Sequence, residues 1–328
     1  MNDRLITIRN RIKGPVFSIL TPFVPSNDKI DFNSLELYIE KIYNAGGFIF
    51  YVMAYNSRYS QLTFEEIKLL NEFVVLKVKE LDSENIVIVA DPPHCSTAST
   101  IEFARHAESS GADLISLIVR ERYYFDEQIF THFRMVNDSV DIGILIHEMP
   151  FLSGLGGPLV NWPFELLDRI ADLEKVVAIK EDAKADEYSE KAIQLLKDRL
   201  AIIISGGGKR QWLRFAAKGC QAWLNGIGVF EPRLATTFWN AWNCGNERLL
   251  YKIVDEIEAP FFEYGVRKYG WHLTIKVALE HFGMMSAHDR MPLMPMPKEN
   301  AEEFIQVLDR LPVCEIVNLS ENLNRTQK

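Results

Sequence analysis

The stretch KVVAIKED, residues 175–182, has the pattern on which the fold prediction depends. Four apolar residues, from Val176 to Ile179, lead directly into Lys180, and the acids Glu181 and Asp182 follow. A short, continuous apolar run is typical of a strand that is buried on both faces. A lysine at its end leaves three interpretations open. It is a solvated strand end, one half of a weak surface salt bridge with a neighbouring acid, or an amine nucleophile.

Runs of the same kind recur along the chain and alternate with longer amphipathic stretches. Eight strands are predicted at 15–20, 47–54, 85–90, 114–119, 142–147, 176–180, 200–205 and 221–226. Helices are predicted between and after them at 32–45, 63–80, 97–110, 126–138, 163–172, 185–197, 208–219 and 231–243. Eight apolar strands, each followed by a helix, predict an α/β protein with a parallel (β/α)8 TIM barrel.

The strand pattern ends at about residue 245. Further helices are predicted near 246–260, 271–283 and 298–311, and the last residues are polar. We therefore expect a barrel over 1–245, additional C-terminal helices packed on it over 246–312, and a frayed polar tail over 313–328.

Composition restricts the classes of partner. A net charge of −9 argues against nucleic acid, and the apolar runs are too short and too often interrupted by charge to span a membrane. The N-terminus lacks the apolar core of a signal peptide. The four scattered cysteines form no CxxC pair, which favours free thiols in a reducing cytoplasm over a zinc site. We expect a cytoplasmic protein with a small-molecule substrate.

The active site of a TIM barrel lies at the carboxyl ends of the strands. Among the residues at the predicted strand ends, Lys180 is the only lysine. An amine in a crowded, partly apolar barrel mouth loses its proton more easily, because burial disfavours the ammonium form. The neutral amine can attack a carbonyl and form a Schiff base, and this chemistry makes Lys180 the candidate nucleophile.

Several segments, taken in order, resemble one family. They are GPVFSILTPF (14–23), QLTFEE (61–66), SSGAD (109–113), VVAIKED (176–182), ISGGG (204–208) and TIKVALEHFGM (274–284). Together they resemble the dihydrodipicolinate synthase / N-acetylneuraminate lyase family of class I aldolases, from about Gly14 to Leu311. The resemblance implies a barrel with extra C-terminal helices, a homo-oligomer (dimer or tetramer), and action on 2-oxo acids without a metal or organic cofactor. It places Lys180 on the Schiff-base lysine.

The fifth strand departs from the family pattern. His147 stands where the family has a proton-relaying tyrosine, three residues before the retained Pro150. Since a histidine can donate and accept protons near neutrality, we predict His147 as the general acid/base, with Glu148 nearby or Tyr124 assisting. Tyr123 and Tyr124 resemble the family's tyrosine pair after the fourth strand, displaced by two residues. The alternative is a structural histidine in a site that has lost activity.

The loop after the second strand departs further. The family has a Gly-Thr-Thr-Gly-Glu type loop that binds a carboxylate, whereas this chain has MAYNSRYSQLT (53–63). Backbone N–H groups, Asn56 and Ser57 are predicted to hold a carboxylate here, with Arg58 adding a bidentate contact if it turns inward. The predicted substrate-binding residues are Thr21, Tyr55, Asn56, Ser57, Gly206, Asn225 and Gly226.

Two further segments bear on the reaction. The synthase proper has an arginine directly after the proline of the fifth strand, and this chain has Phe151, which argues against dihydrodipicolinate synthesis. The glycine-rich FLSGLGGP (151–158) is expected to shape or cover the barrel mouth. Asp91, at the end of the third strand, is expected to cap a helix or turn, and the alternative is an extra acid group in the site.

The sequence thus predicts a Schiff-base-forming lyase, an aldolase or dehydratase, that acts on a 2-oxo acid, with sugar-derived acids as candidates. Lys180 and His147 should end adjacent strands within hydrogen-bond to one-substrate distance, while Glu181 and Asp182 orient the following loop. One alternative is a catalytically idle family member that binds a small acid as a sensor or assembly partner. A metal-dependent hydrolase is disfavoured, because only His147 of the seven histidines ends a predicted strand.

Overall fold

The computed structural model describes residues 2–119, 125–148, 161–183, 185–205 and 208–326, with side chains described as far as Leu319. The chain divides into two compact units. The first consists of Met1–Ser18 and Phe48–Leu224, and the second of Ile19–Gly47 and Asn225–Lys328.

Eight parallel strands close into a barrel in chain order, which confirms the predicted (β/α)8 architecture. The N–H of Gly14 donates to the carbonyl of Gln221 (2.9 Å) and so links the two ends of the sheet. The strands are β1 (Gly14–Ser18), β2 (Ile49–Val52), β3 (Ile86–Ala90), β4 (Leu114–Leu117), β5 (Gly143–Glu148), β6 (Val176–Glu181), β7 (Ala201–Ile204) and β8 (Ala222–Asn225).

A helix follows each strand, as the alternation predicts. The first helices are α1 (Asp3–Arg11), α2 (Phe32–Asn44), α3 (Phe64–Leu81), α4 (Thr97–Ser110), α5 (Asp126–Asn137), α6 (Phe164–Ala171), α7 (Asp186–Leu196), α8 (Gly208–Phe215) and α9 (Pro232–Asn243). Short 3₁₀ turns occupy Tyr59–Gln61, Ala216–Lys218 and Ile227–Val229. Thr63 and Glu66 form a capping box at the start of α3, and Gly111 ends α4 with φ 87°, a conformation that glycine adopts readily.

The barrel interior is apolar along most of its length. Alternate strand residues, among them Ile88, Leu145 and Ala178, form one buried cluster. Leu5 and Ile8 of α1 belong to the same cluster, so this helix closes the interior near the amino ends of the strands.

The sequence analysis does not predict α1, and a glycine explains how it fits. A Cβ atom at Gly143, the first residue of β5, would lie 3.1 Å from the side chain of Leu5 and 2.3 Å from that of Leu114. Glycine thus leaves room at the start of this strand, chiefly for Leu114 of β4 and to a lesser extent for Leu5 of α1.

The second unit contains the later helices. They are α10 (Glu247–Ile253), α11 (Ala259–Phe261), α12 (Arg267–Tyr269), α13 (Trp271–His281), α14 (Lys298–Leu308) and α15 (Val313–Thr326). The π-helical stretches Val254–Glu258 and Phe262–Val266 connect α10 to α12 in one helical run. Aromatic rings pack together in this unit. The ring centroid of Phe261 lies 5.2 Å from that of Phe230 and 5.7 Å from that of Phe304.

The expectation of a frayed tail is wrong for α15. Val313, Ile316 and Val317 are buried, and their spacing forms an apolar face on this helix. The domain boundaries at 245 and 312 stay a prediction. Across the described ranges, none of the helices has the length and apolar character that a bilayer span requires.

Candidate active site

β5 and β6 place the two principal candidates side by side. His147 pairs with Lys180 in the sheet register, and Glu148 pairs with Glu181. Since side chains alternate along a strand, and Leu145 and Ala178 belong to the interior cluster, His147 and Lys180 point to the interior as well. This confirms the predicted placement of the two residues on adjacent strands.

Lys180 lies between two polar partners. Its Nζ is 2.9 Å from His147 Nε2 and 2.7 Å from Asp182 Oδ2. The Lys180 residue is 1% exposed, so it is neither a solvated strand end nor half of a surface salt bridge. The ion pair with Asp182 is buried, so Asp182 holds the Lys180 amine, while its predicted part in orienting the loop stays a prediction. Asp182 is two residues beyond Lys180, and the same alternation brings it to the same side.

The far side of His147 faces a second hydrogen-bonded pair. Tyr51 Oη lies 3.5 Å from His147 Nδ1 and 2.6 Å from Ser116 Oγ. Burial raises the pKa of Tyr51, so its phenol stays protonated. A consistent set of directions has the Lys180 ammonium donating to Asp182 and to His147 Nε2, Nδ1–H donating to Tyr51, and Tyr51 donating to Ser116.

The sequence analysis did not single out Tyr51 or Ser116. Two signals could have found them. Tyr51 has the same parity as Ile49 and Met53 in the interior cluster, and Ser116 is the one polar residue in the apolar run 114–119.

The opposite face of the same strands contains a pair of buried carboxyls. Glu181 accepts hydrogen bonds from the Ala183 N–H (2.9 Å) and the Ser189 hydroxyl (2.9 Å), and Glu148 Oε1 accepts one from the Trp162 N–H (3.4 Å). Within the described ranges, Oε2 of Glu148 has no hydrogen-bond partner. Burial, with the charge of Glu181 in second place, raises the pKa of Glu148 to about 8, and burial raises the pKa of Glu181 to about 7.

These contacts correct one expectation. Glu148 is not beside the imidazole as an assisting group, because it faces the residues around α6 and α7 while His147 faces the interior. Glu181 does hold the following loop as predicted, through its bond to Ala183.

The loop after β2 meets the site at Tyr55, whose ring lies edge-on to His147 with centroids 6.3 Å apart. Asn56 Nδ2 donates to Ser18 Oγ (2.7 Å), and both Asn56 and Ser57 are buried. The N–H of Ser57 donates to the Met53 carbonyl (2.8 Å), and that of Arg58 donates to the Tyr55 carbonyl (3.1 Å). These two amides close the turn, so they do not supply the predicted backbone donors for a carboxylate.

Arg58 and Asp91 are two further buried polar residues that the sequence analysis considered. Arg58 has a left-handed backbone (φ 61°), is 1% exposed, and donates from Nη1 to the Asn56 carbonyl (3.4 Å); its contact with a substrate stays a prediction. Asp91 is not the cap of α4, since Ser96 fills that role. It accepts from the Ile118 N–H (3.2 Å) and the Thr100 hydroxyl (2.9 Å), and burial raises its pKa to about 7.

Three predicted substrate-binding residues belong to the second unit. The Thr21 carbonyl accepts a hydrogen bond from the buried Lys276 (3.0 Å), Asn225 is 1% exposed, and Gly226 lies near the ring of Trp271. Their part in substrate binding stays a prediction.

Other predicted positions fall outside the described residues. They are Tyr123, Tyr124, Gly206 and the stretch 151–158. In the part of the chain that the structure describes, no group of three or more His, Cys, Asp or Glu side chains is placed to hold a metal ion.

Comparison with known proteins identifies the family of this chain. The family model described as the dihydrodipicolinate synthetase family matches residues 11–311. The chain belongs to this family. A 4-hydroxy-tetrahydrodipicolinate synthase of Methanothrix thermoacetophila is 27% identical over 306 residues, which cover 91% of this chain and 97% of the relative. An uncharacterised DapA-like lyase of Pyrococcus furiosus is 25% identical over 250 residues, which cover 75% and 79% of the two chains.

Solved structures show the same fold. The 4-hydroxy-tetrahydrodipicolinate synthase of Methylacidiphilum fumariolicum has a TM-score of 0.82 at 21% identity and covers 95% of this chain and 99% of its own. YagE of Escherichia coli K12, a prophage protein of the dihydrodipicolinic acid synthase family solved with pyruvate, has a TM-score of 0.78 at 20% identity. It covers 93% of this chain and 100% of its own. The protein is thus a lyase-family member with a TIM barrel.

Proposed function

We propose that this family member is a Schiff-base-forming lyase that acts on a 2-oxo acid, with Lys180 as the nucleophile. The observation that carries the proposal is the 2.9 Å contact between Lys180 Nζ and His147 Nε2 at the carboxyl ends of adjacent barrel strands. In a TIM barrel this end is where catalytic residues lie.

The pair is suited to the two parts of Schiff-base chemistry. The neutral amine attacks the keto carbon, water leaves, and the resulting iminium withdraws electrons from the neighbouring carbon. A group that accepts and returns a proton near neutrality must then act at that carbon, and His147 has this chemistry. Cleavage of a carbon–carbon bond or loss of water both proceed from this intermediate.

The remaining predicted residues complete the proposal. Tyr55 lies beside His147, and Asn56 bonds to Ser18 of β1. Both side chains are suited to the polar end of a small acid. Substrate binding is also proposed for Ser57, Thr21, Gly206, Asn225 and Gly226, and assistance in proton transfer for Tyr124. Phe151 in place of the synthase arginine favours a 2-oxo acid reaction other than dihydrodipicolinate synthesis.

The substrate is proposed at the level of class. YagE is solved with pyruvate, so pyruvate is the first probe, and larger sugar-derived 2-oxo acids follow. We further propose a cytoplasmic homo-oligomer that needs no metal or organic cofactor. A monomeric variant of dihydrodipicolinate synthase is among the similar structures, so the assembly state is to be measured by light scattering.

The test is covalent trapping. The protein is incubated with pyruvate, 2-oxobutanoate and 2-oxoglutarate, reduced with borohydride, and weighed intact by mass spectrometry. We expect a mass increment that Lys180→Ala removes completely, because the proposed adduct forms on this amine. Lys175→Ala is the matched control: Lys175 directly precedes β6, at the opposite end of the same strand, and bonds to the Asn137 carbonyl.

The competing function makes the opposite prediction. A catalytically idle member that binds a small acid as a sensor or assembly partner would give no increment with any 2-oxo acid. That result, obtained on protein shown to be folded by circular dichroism, contradicts the lyase proposal.

A further inference from the structure

We propose that Asp182 is a catalytic residue, the acid–base group that forms and opens the Schiff base at Lys180. His147 is then reserved for proton transfer at the substrate carbon. This inference rests on the proposed function, which it deepens by assigning the two proton-transfer duties to different residues.

The contact itself is the first argument. Asp182 Oδ2 lies 2.7 Å from Lys180 Nζ, and the two side chains are 10% and 1% exposed. An ammonium held in a buried ion pair has no lone pair, so it cannot attack a carbonyl until a group in contact removes a proton. Asp182 and His147 are both in such contact with Nζ, at 2.7 Å and 2.9 Å.

Charge decides between these two groups. If His147 accepted the proton, an imidazolium would lie 2.9 Å from the nitrogen that becomes a cationic iminium. Like charges at that distance in a buried site repel strongly. Asp182 avoids this cost, because its carboxylate faces a cation both before the reaction, as ammonium, and after it, as iminium.

The far side of His147 supports the same division of duties. Nδ1 faces Tyr51, which bonds to Ser116, so the imidazole is oriented by a chain of neutral groups. A neutral phenol stabilises an imidazolium less than a carboxylate does. The carboxylate of the site is instead bonded to the reacting amine.

Schiff-base formation at Lys180 proceeds by three proton transfers. Asp182 takes one proton from the Lys180 ammonium, the amine lone pair forms a bond to the keto carbon, and the carbonyl π electrons move to oxygen. A proton passes from nitrogen to that oxygen to give the neutral carbinolamine. Asp182 returns its proton to the hydroxyl, which leaves as water while the nitrogen lone pair forms the C=N bond. Of the three ammonium protons, one stays on the iminium and two leave in water, and Asp182 ends as a carboxylate.

The experiment measures the rate of Schiff-base formation with pyruvate, by borohydride quenching at timed intervals. We expect Asp182→Asn to lower the rate by about 10²- to 10⁴-fold, the usual contribution of a general acid–base group. Glu181→Gln is the matched control, since it changes the adjacent carboxyl, which faces the other side of the strand. Asp182→Ala provides a second variant, and added formate should restore part of its rate because a small carboxylate can enter the space.

A merely structural role would not respond to formate, and this separates the two explanations. Equal or faster adduct formation in Asp182→Asn overturns the inference, since Asp182 would then only hold the amine in its unreactive form. Failure of rescue in Asp182→Ala, together with an equal loss in Glu181→Gln, also overturns it.

A second probe separates this inference from the proposed function. Acetaldehyde also condenses with a lysine amine, to an aldimine that needs no 2-oxo acid recognition, and peptide mass spectrometry after reduction reports labelling at Lys180. Asp182-dependent labelling by acetaldehyde with no labelling by any 2-oxo acid supports the inference and contradicts the proposed substrate class. Labelling by neither probe contradicts both.

Discussion

The two faces of β5 and β6 use neighbouring residues in opposite ways. On the inner face, Lys180 is bonded to an imidazole and a carboxylate, so a positive charge meets its complement. On the outer face, Glu148 and Glu181 are two buried acids whose pKa values are raised to about 8 and about 7. One residue of shift along the strand thus separates a charge-balanced cluster from a pair that binds protons.

From this difference we expect the proposed reaction on the inner face and a pH-dependent contribution to stability on the outer face. The outer carboxyls contact protein groups, namely the Ser189 hydroxyl and the N–H groups of Ala183 and Trp162. Substitutions on the inner face should therefore change chemistry with little effect on unfolding. Substitutions on the outer face should do the reverse.

The largest expected effect is on the inner face, in His147→Gln. Glutamine retains hydrogen-bonding capacity but does not titrate near neutrality, so proton transfer at the substrate carbon should fall by about 10²- to 10⁴-fold. The measurement is exchange of the pyruvate methyl hydrogens in D₂O, followed by NMR. Trapping of the Lys180 adduct should persist, because Asp182 remains.

His132→Gln is the control for this change. His132 bonds to Thr97, and burial lowers its pKa to about 4, so it is not expected to transfer protons in the reaction. Unchanged exchange in His147→Gln would contradict the role proposed for His147, since the inner face would then lack the predicted acid–base group.

The next largest effect is on the outer face, in Glu148→Gln. In the unfolded chain this carboxyl ionises near its ordinary value of 4.5, whereas in the folded protein it retains its proton to about 8. The folded state therefore binds more protons between these values. Its stabilising contribution is complete below about 4.5 and is lost as pH rises through about 8.

Since glutamine cannot ionise, Glu148→Gln should lose less stability on going from pH 5 to pH 9 than the wild type. We expect that difference in the free energy of unfolding to shrink by on the order of 2 kcal/mol. Urea unfolding at both pH values measures it, and Glu165→Gln, an exposed position on α6, is the control. An unchanged pH dependence would show that Glu148 already ionises in the folded protein at neutral pH.

The smallest effect is expected for Ser189→Ala, which removes a hydroxyl that donates to Glu181 (2.9 Å). Above pH 7 the ionised carboxylate loses a donor, and the unfolding free energy should fall by about 1–3 kcal/mol. At pH 5 the carboxyl is protonated and the loss should be smaller. Ser110→Ala, whose hydroxyl bonds to the His106 carbonyl, should show no such pH dependence. An equal loss at both pH values would assign the effect to packing.

The barrel could be predicted because its strands are apolar on both faces and its helices are amphipathic. The eight predicted strands and the eight helices that follow them are all present near their predicted positions. The pattern did not predict α1. This helix packs in part against Gly143, and local sequence does not encode such a long-range contact.

The site was predicted in part for the same reason. Lys180 and His147 end apolar runs, so their position on the barrel follows from the strand pattern. Asp182 lies beyond the run, and only the continued alternation after β6 shows that it returns to Lys180. Tyr51 was hidden because an aromatic residue inside a strand has the same pattern as core packing.

The position of α1 has a consequence for how molecules reach and leave Lys180. Leu5, Ile8 and Ile12 join the buried, mainly apolar cluster near the amino ends of the strands. For the proposed reaction, we therefore expect substrate to enter and the water of imine formation to leave at the carboxyl ends of the strands. Entry and exit at one end would impose an order, because the released water must leave before a second molecule reaches Lys180.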